Sequence, residues 1–234
     1  MGDLFYYNGR PDGIGNRVEE LIYIQQYCEE KNKECIYIWN NTNRKDRSYD
    51  CLISFDKIKI KYDITDEERR LINKNCKSRT FGYNVKFKFL FDLPKPIIYD
   101  AIIHIRAGDR LKNNHHFDYS NPKELRSFIK KTVKYLNNEK DIKTYTIVTD
   151  DKNYIKKIKN NVEKEYVNLD YNYNIDNSWL DFYYLTQPKK CVIMCCKFSS
   201  YSITASILGN KPILVFEKSL NSNLTRYKAN VRII

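Results

Sequence analysis

Glycine is scarce in this chain, at 7 of 234 residues, and methionine, tryptophan and histidine number only 2, 2 and 3. So little glycine excludes collagen-like and low-complexity architectures. Three histidines, with no Cys-x-x-Cys and no His pair at helical spacing, leave little for a zinc centre. Gly-x-Ser-x-Gly and Gly-Lys-Ser/Thr are both missing, which argues against a nucleophile elbow and a Walker A loop. No apolar run approaches the roughly eighteen residues of a membrane span, and the N-terminal MGDLFYYNGRPDG has no basic segment leading into an apolar one. The seven cysteines, at 28, 35, 51, 76, 191, 195 and 196, are odd in number and sit mostly inside apolar runs. They read as reduced core thiols, and the expectation is a soluble, cytoplasmic protein.

Charge of one sign is in excess instead. The 41 Lys and Arg against 29 Asp and Glu give a formal +12, which favours anionic partners such as nucleotides, nucleic acid or acidic headgroups. The lysines are scattered through nearly every helix-like segment, as in KKTVKYLNNEK and KNYIKKIKNNVEK, and this suggests solvated faces more than a designed groove. Twenty tyrosines lie largely within apolar periodic segments, where core packing explains them better than stacking on bases. A basic nucleic-acid-binding module is therefore the weaker alternative.

The segments DLFYY (3–7), NGRPDGIGN, an apolar stripe of Val18, Leu21, Ile22, Tyr27 and Cys28 in a helix from Asn16, and CIYIW (35–39) spell strand, glycine turn, helix, strand. That unit predicts parallel neighbours joined by a crossover helix. Residues 40–96 are less regular, with a loop at NNTNRKDRSYD, weak strands at CLISF and KIKIKYDI and a short capped helix in TDEERRLINKNC. Two prolines in LPKPIIYD mark a break, dividing the chain into halves 1–96 and 97–234. Beyond it, strands IIYDAIIHI, YTIVT, YVNLD, CVIMCC and PILVF alternate with helices. The first of these helices has Asn121 as cap, Pro122 at its first position and an inner stripe of Leu125, Phe128, Ile129, Val133 and Leu136. The pattern predicts a doubly wound α/β domain.

In open parallel sheets, ligands bind outside the carboxyl ends of the strands, and four clusters fall there. The turn Gly13-Ile14-Gly15-Asn16-Arg17 lets backbone approach a ligand while the next helix directs its positive end at it; a tight turn with a cap explains the same residues. The run from His104 to Arg110 ends a buried-looking strand on charge. Arg106 can fork onto a diphosphate, Gly108 lets the chain turn so that Asp109 faces the same cleft, and His104 shares the face of Arg106 by alternation, although a structural histidine also fits there. Asp150 and Asp151 precede a helix that either could cap. Ser199, Ser200 and Ser202 open another helix with three hydroxyls where a cap needs one, so they could hold a phosphate. Asp181, inside SWLDFYYLTQ, is no cap and could face a base or ribose. Arg110, His115 and His116 read as loop charge.

Taken in order, these motifs resemble the fucosyltransferase superfamily that includes the α1,2- and α1,6-fucosyltransferases, the nodulation fucosyltransferase and the protein O-fucosyltransferases. HIRAGD is similar to the HxRxGD signature, YTIVTDD to the TDD strand, LDFYYLTQPKKCVIMCCKFSSYS to the segment ending in a serine pair, and GIGNR to the GxGNQ turn. The resemblance covers the first forty residues and about 97–217, while 40–96 has no match. It implies a GT-B type architecture of two Rossmann-like halves with parallel sheets, acceptor on the first half and nucleotide sugar on the second. It implies an inverting transfer of fucose from GDP-fucose to a hydroxyl of a glycan or protein acceptor, with no metal and no cofactor. Carried over by motif, Arg106 would contact the diphosphate, with Gly13, Gly15 and Asn16 approaching it from the first half. Ser199 and Ser200 would donate to phosphate oxygens, His104 and Ser202 would join the substrate-binding set, and Asp150 and Asp181 would hold the guanosine part or order the site. Asp109 would be the base for the acceptor hydroxyl or the carboxylate that orients the arginine.

Departures from the pattern bear on acceptor and linkage. Ala107 stands where some relatives have a second arginine and Arg17 where they have glutamine, and the expectation is a form shorter than most members, without stem or membrane anchor. The alternative within the same fold is another nucleotide sugar as donor, or a sugar-binding relative without activity.

Overall fold

The computed structural model describes residues 3–40, 50–72, 85–107, 121–216 and 231–234. The chain divides into two compact units, Met1–Leu93 and Pro94–Ile234.

In the first unit β1 (Leu4–Asn8), α1 (Ile14–Lys31) and β2 (Glu34–Ile38) form the expected crossover, with β1 and β2 parallel. The apolar stripe buries Val18, Leu21, Ile22, Ile24 and Cys28, and Asn32 ends the helix at φ 50°, its N–H bonded to the carbonyls of Cys28 and Glu29. Asparagine tolerates this left-handed turn better than most side chains. The helix begins at Ile14, two residues ahead of Asn16.

The sheet continues through β3 (Ile53–Phe55), β4 (Ile58–Lys61) and β5 (Phe87–Phe89) in the order β1-β2-β4-β3-β5. The expectation of a parallel first sheet holds for β1, β2 and β4 only, because β3 runs antiparallel to β4 and β5 to β3. Two residues separate β3 from β4, and a connection that short permits only a hairpin. The short α2 (Asp66–Arg70) opens on a reciprocal Thr65–Glu68 cap, as TDEERR indicates.

The second unit carries six strands: β6 (Ala101–Ile105), β7 (Thr144–Thr149), β8 (Glu165–Tyr166), β9 (Cys191–Met194), β10 (Ile213–Val215) and β11 (Val231–Ile233). Every pairing is parallel, in the order β11-β10-β9-β6-β7-β8. Counted within the unit this is 3-2-1-4-5-6, the strand order of Rossmann-like sheets. Helix α3 (Pro122–Asn138) follows β6, α4 (Asn153–Lys159) follows β7, α5 (Asn177–Thr186) precedes β9 and α6 (Ser200–Leu208) follows it.

Alternate residues of each strand separate the two faces. Ile103, Ile105, Tyr145, Ile147 and Ile193 pack with Leu125, Phe128, Ile129 and Leu136 of α3 and Ile158 of α4 in one cluster. Phe128 stacks on Phe216 at 5.0 Å with the rings 6° apart. Each such fully buried side chain contributes roughly 1.5–3 kcal/mol. The strand at YVNLD is shorter than expected, two residues at the sheet edge, where it pairs on one side only.

Candidate functional site

The strand order reverses between β6 and β9, since the chain leaves β6 toward β7 and returns to its other side as β9. A crevice opens at such a reversal outside the carboxyl ends of the two central strands. Arg106 lies just past β6, Ser199 ends the loop from β9, and Ser200 opens α6. The N–H of Cys195 donates to the carbonyl of His104 at 2.9 Å, joining the two strand ends.

Arg106 is positioned by Asp150. Register pairs Ile105 with Thr149, so the residues just past β6 and β7 sit side by side. The amide of Ala107 donates to Asp150 Oδ1 at 2.8 Å, and Arg106 Nε lies 3.6 Å from Asp150 Oδ2. One carboxylate therefore hydrogen-bonds the turn and makes an ion-pair contact with the guanidinium. The alternative of Asp150 as a helix cap gives way to this role, and Asp151 accepts the N–H of Asn153 at 3.0 Å instead. Asp109, with Gly108, Arg110, His115 and His116, lies outside the described residues.

His104 is 3% exposed, and its ring lies 5.5 Å from that of Tyr201 in the first turn of α6. The Tyr201 hydroxyl donates to the carbonyl of Ser178 in the first turn of α5, and its ring meets Phe182 edge-on at 5.2 Å. Tyr201 thus draws the N-termini of both helices together beside His104. Two helix N-termini direct partial positive charge to one place. Ser199 is the N-cap of α6 and makes no side-chain cap bond. Ser202 is fully buried, donating its hydroxyl to the carbonyl of Ser199 at 3.3 Å, and Ser200 is half-buried at the first helical position.

Carboxylates balance that positive potential. Asp176 caps α5 by accepting the N–H of Ser178 at 2.7 Å. Asp181, one turn further, accepts the Tyr171 hydroxyl at 2.5 Å. Burial pushes the Asp181 carboxyl up to about 6, with the charges of Asp176 and Asp150 adding to the shift and the Tyr171 bond opposing it. The strand ends therefore combine one arginine, two helix N-termini and three carboxylates, an arrangement that can take a phosphate on one side and hydrogen-bond donors on the other. Among the described residues no group of three His, Cys, Asp or Glu could hold a metal ion.

The Gly13 to Asn16 turn belongs to the first unit, at the carboxyl end of β1. Gly13 has an ordinary extended backbone, φ −65° and ψ 162°, and a Cβ there would meet nothing within 4 Å. Among the described residues neither packing nor backbone strain requires this glycine. Gly15 is buried and Asn16 half-buried on the first turn of α1.

Behind this turn lies a clasp that sequence reading missed. Glu20 accepts the Tyr7 hydroxyl at 3.0 Å, the Tyr37 hydroxyl at 2.8 Å and the N–H of Arg10 at 3.0 Å. Tyr7 and Tyr37 are register partners on β1 and β2 with rings stacked at 5.9 Å. Arg17 is fully buried, its guanidinium 4.6 Å from the Trp39 ring centroid. The available signal was the interruption of an otherwise apolar helix face by Arg17, Glu19 and Glu20.

No protein-family model matches the chain, and no curated protein matches it significantly. The chemistry of the site therefore rests on its geometry and on the motifs.

Proposed function

We propose that the protein is a glycosyltransferase of GT-B type that moves fucose from GDP-fucose to a hydroxyl of a glycan or protein. The observation that carries the reading is Arg106, held by Asp150 at the strand-order reversal beside the N-terminus of α6. This is where a six-stranded sheet of this order offers a nucleotide-diphosphate site, and the resemblance of HIRAGD and FSSYS to the family's motifs supports phosphate contacts there. In the proposed reaction the acceptor oxygen attacks C1 of the sugar as the bond from C1 to the β-phosphate oxygen breaks. The bonding pair leaves with GDP, and the hydroxyl proton passes to a base, for which Asp109 is the candidate. Negative charge accumulates on the diphosphate, where Arg106 and the N-terminal amides of α6 stabilise it without reorganising.

The test compares GDP, UDP and their fucosyl, mannosyl and glucosyl derivatives by calorimetry and thermal shift, in wild type and Arg106→Ala. GDP should bind, and the substitution should lower transfer by about a hundredfold or more. Stabilisation by UDP-sugars and not by GDP would sink the fucose assignment, and normal turnover in Arg106→Ala would refute the mechanism.

A further inference from the structure

Among the described residues the positive charge, scattered along the sequence, gathers on two helices. Helix α3 contains five Lys or Arg and one Glu, and α4 three Lys and no carboxylate. Together they carry a net seven positive charges. Helices α5 and α6 on the other face of the sheet contain no Lys or Arg, and α1 has four carboxylates against two cations.

The two basic helices lie side by side. Both contribute to one core cluster, and Asn137 of α3 donates to the carbonyl of Asn161 and accepts the N–H of Glu163, each at 3.0 Å, just beyond α4. With the apolar stripe of α3 turned to the sheet, Lys123, Arg126, Lys130 and Lys134 form an exposed row, joined by Lys156 and Lys157 of α4. Among the described residues none of the six is in an ion pair. A row of like charges costs self-repulsion, and nearby carboxylates that would relieve it are absent from both helices except for Glu124, which is engaged in the helix cap.

We propose that this face docks the protein electrostatically on a membrane surface rich in anionic headgroups. The exposed row from Lys123 to Lys134 runs along about 17 Å of helix, and with Lys156 and Lys157 of the neighbouring helix it makes a positive face suited to a plane of charge. No large apolar side chain is exposed on either helix, so binding is superficial, reversible and salt-sensitive rather than insertive. Single-stranded nucleic acid needs an aromatic stacking platform, which this face lacks. Docking by the helix face leaves the carboxyl ends of the sheet uncovered.

The test is co-sedimentation of the full chain with phosphatidylcholine vesicles, with and without about 30% phosphatidylserine, at about 0.1 and 0.5 M salt. Wild type should bind the anionic vesicles at least about tenfold more strongly than neutral ones and release at high salt. A variant with Lys130, Lys134, Lys156 and Lys157 each changed to Glu should lose at least about tenfold. A control with Lys31, Lys59, Lys86 and Lys88 changed to Glu has the same net charge and should retain most of the binding. Circular dichroism and melting identify a variant that fails to fold; in that case the four lysines are changed to Gln and the comparison repeated. Equal losses in both charge variants, equal binding to neutral vesicles, no vesicle binding, or tighter binding to an RNA or DNA oligonucleotide at the same salt would each overturn the proposal.

Discussion

Replacing Asp150 separates what it does for stability from what it does for Arg106. The charge-assisted bond from the Ala107 amide, at 2.8 Å, is worth about 1.5–3 kcal/mol. Ala107 is fully buried, so its amide has little water to turn to when the carboxylate is removed. The contact with Arg106 is 3.6 Å long between side chains 39% and 28% exposed, and solvent screening holds it to about 1 kcal/mol at most. Asp150→Ala should therefore cost about 2–4 kcal/mol. Asp150→Asn keeps an oxygen for the amide and should cost about 1 kcal/mol. Urea unfolding followed by tryptophan fluorescence measures both.

Two effects oppose each other in anion binding at the same position. Removing a carboxylate about 7 Å from a bound charge relieves about 0.6 kcal/mol of repulsion in a water-like dielectric. Releasing the turn lets Arg106 sample other rotamers, which costs about 0.5–1.5 kcal/mol of pre-organisation on binding, with further loss from misplacement. Positioning outweighs repulsion when the amide bond is gone and nearly cancels it when the bond remains. GDP should bind about 3- to 10-fold more weakly to Asp150→Ala and within about twofold of wild type to Asp150→Asn. If the Asn variant is as destabilised as the Ala variant, the amide bond is not what Asp150 supplies and the reasoning fails.

Asp181 carries a pH signature. Its carboxyl is raised from 3.8 to about 6, so the folded state holds a proton that the unfolded state releases. The stabilisation is fully present below about pH 4 and is lost as pH rises to about 6. Asp181→Asn, which still offers Tyr171 an acceptor, should match wild type near pH 4 and exceed it by up to about 2 kcal/mol at pH 7.5 in denaturant titrations; a constant difference across that range would contradict the burial argument. Gly9 has a packing requirement rather than a conformational one. A Cβ there would lie 2.3 Å from the Tyr37 ring, which the Glu20 bond and the Tyr7 stack hold in place. Gly9→Ala should cost about 1–3 kcal/mol by chemical denaturation, and a loss below about 0.5 kcal/mol would mean that the clasp gives way easily.

Local signals carried most of the elements. The reciprocal cap at Asn121, the apolar spacing of α3 and α1, and the β-rich runs at β6, β7 and β9 each specify a conformation through groups within a few residues of one another. The short strands β5 and β11 were missed, because three residues of Phe-Lys-Phe or Val-Arg-Ile acquire strand geometry only from the partner they pair with. The antiparallel course of β3 was legible in principle from its two-residue connection, but the segment's weak alternation hid where that connection lay.

By itself the sequence determined an α/β chain with a break near its prolines, an arginine and a serine cluster at strand ends, and an excess of lysine, since composition, period and turn chemistry are local properties. Only the tertiary structure decided the 3-2-1-4-5-6 order that brings β6 beside β9 and β7, and with it the approach of Asp150 to Arg106 and of Tyr201 to His104. It likewise decided that lysines spread over some forty residues of chain share one exposed face. Crossover connections of many residues leave strand order undetermined by any local preference, and burial of both faces of the sheet selects it.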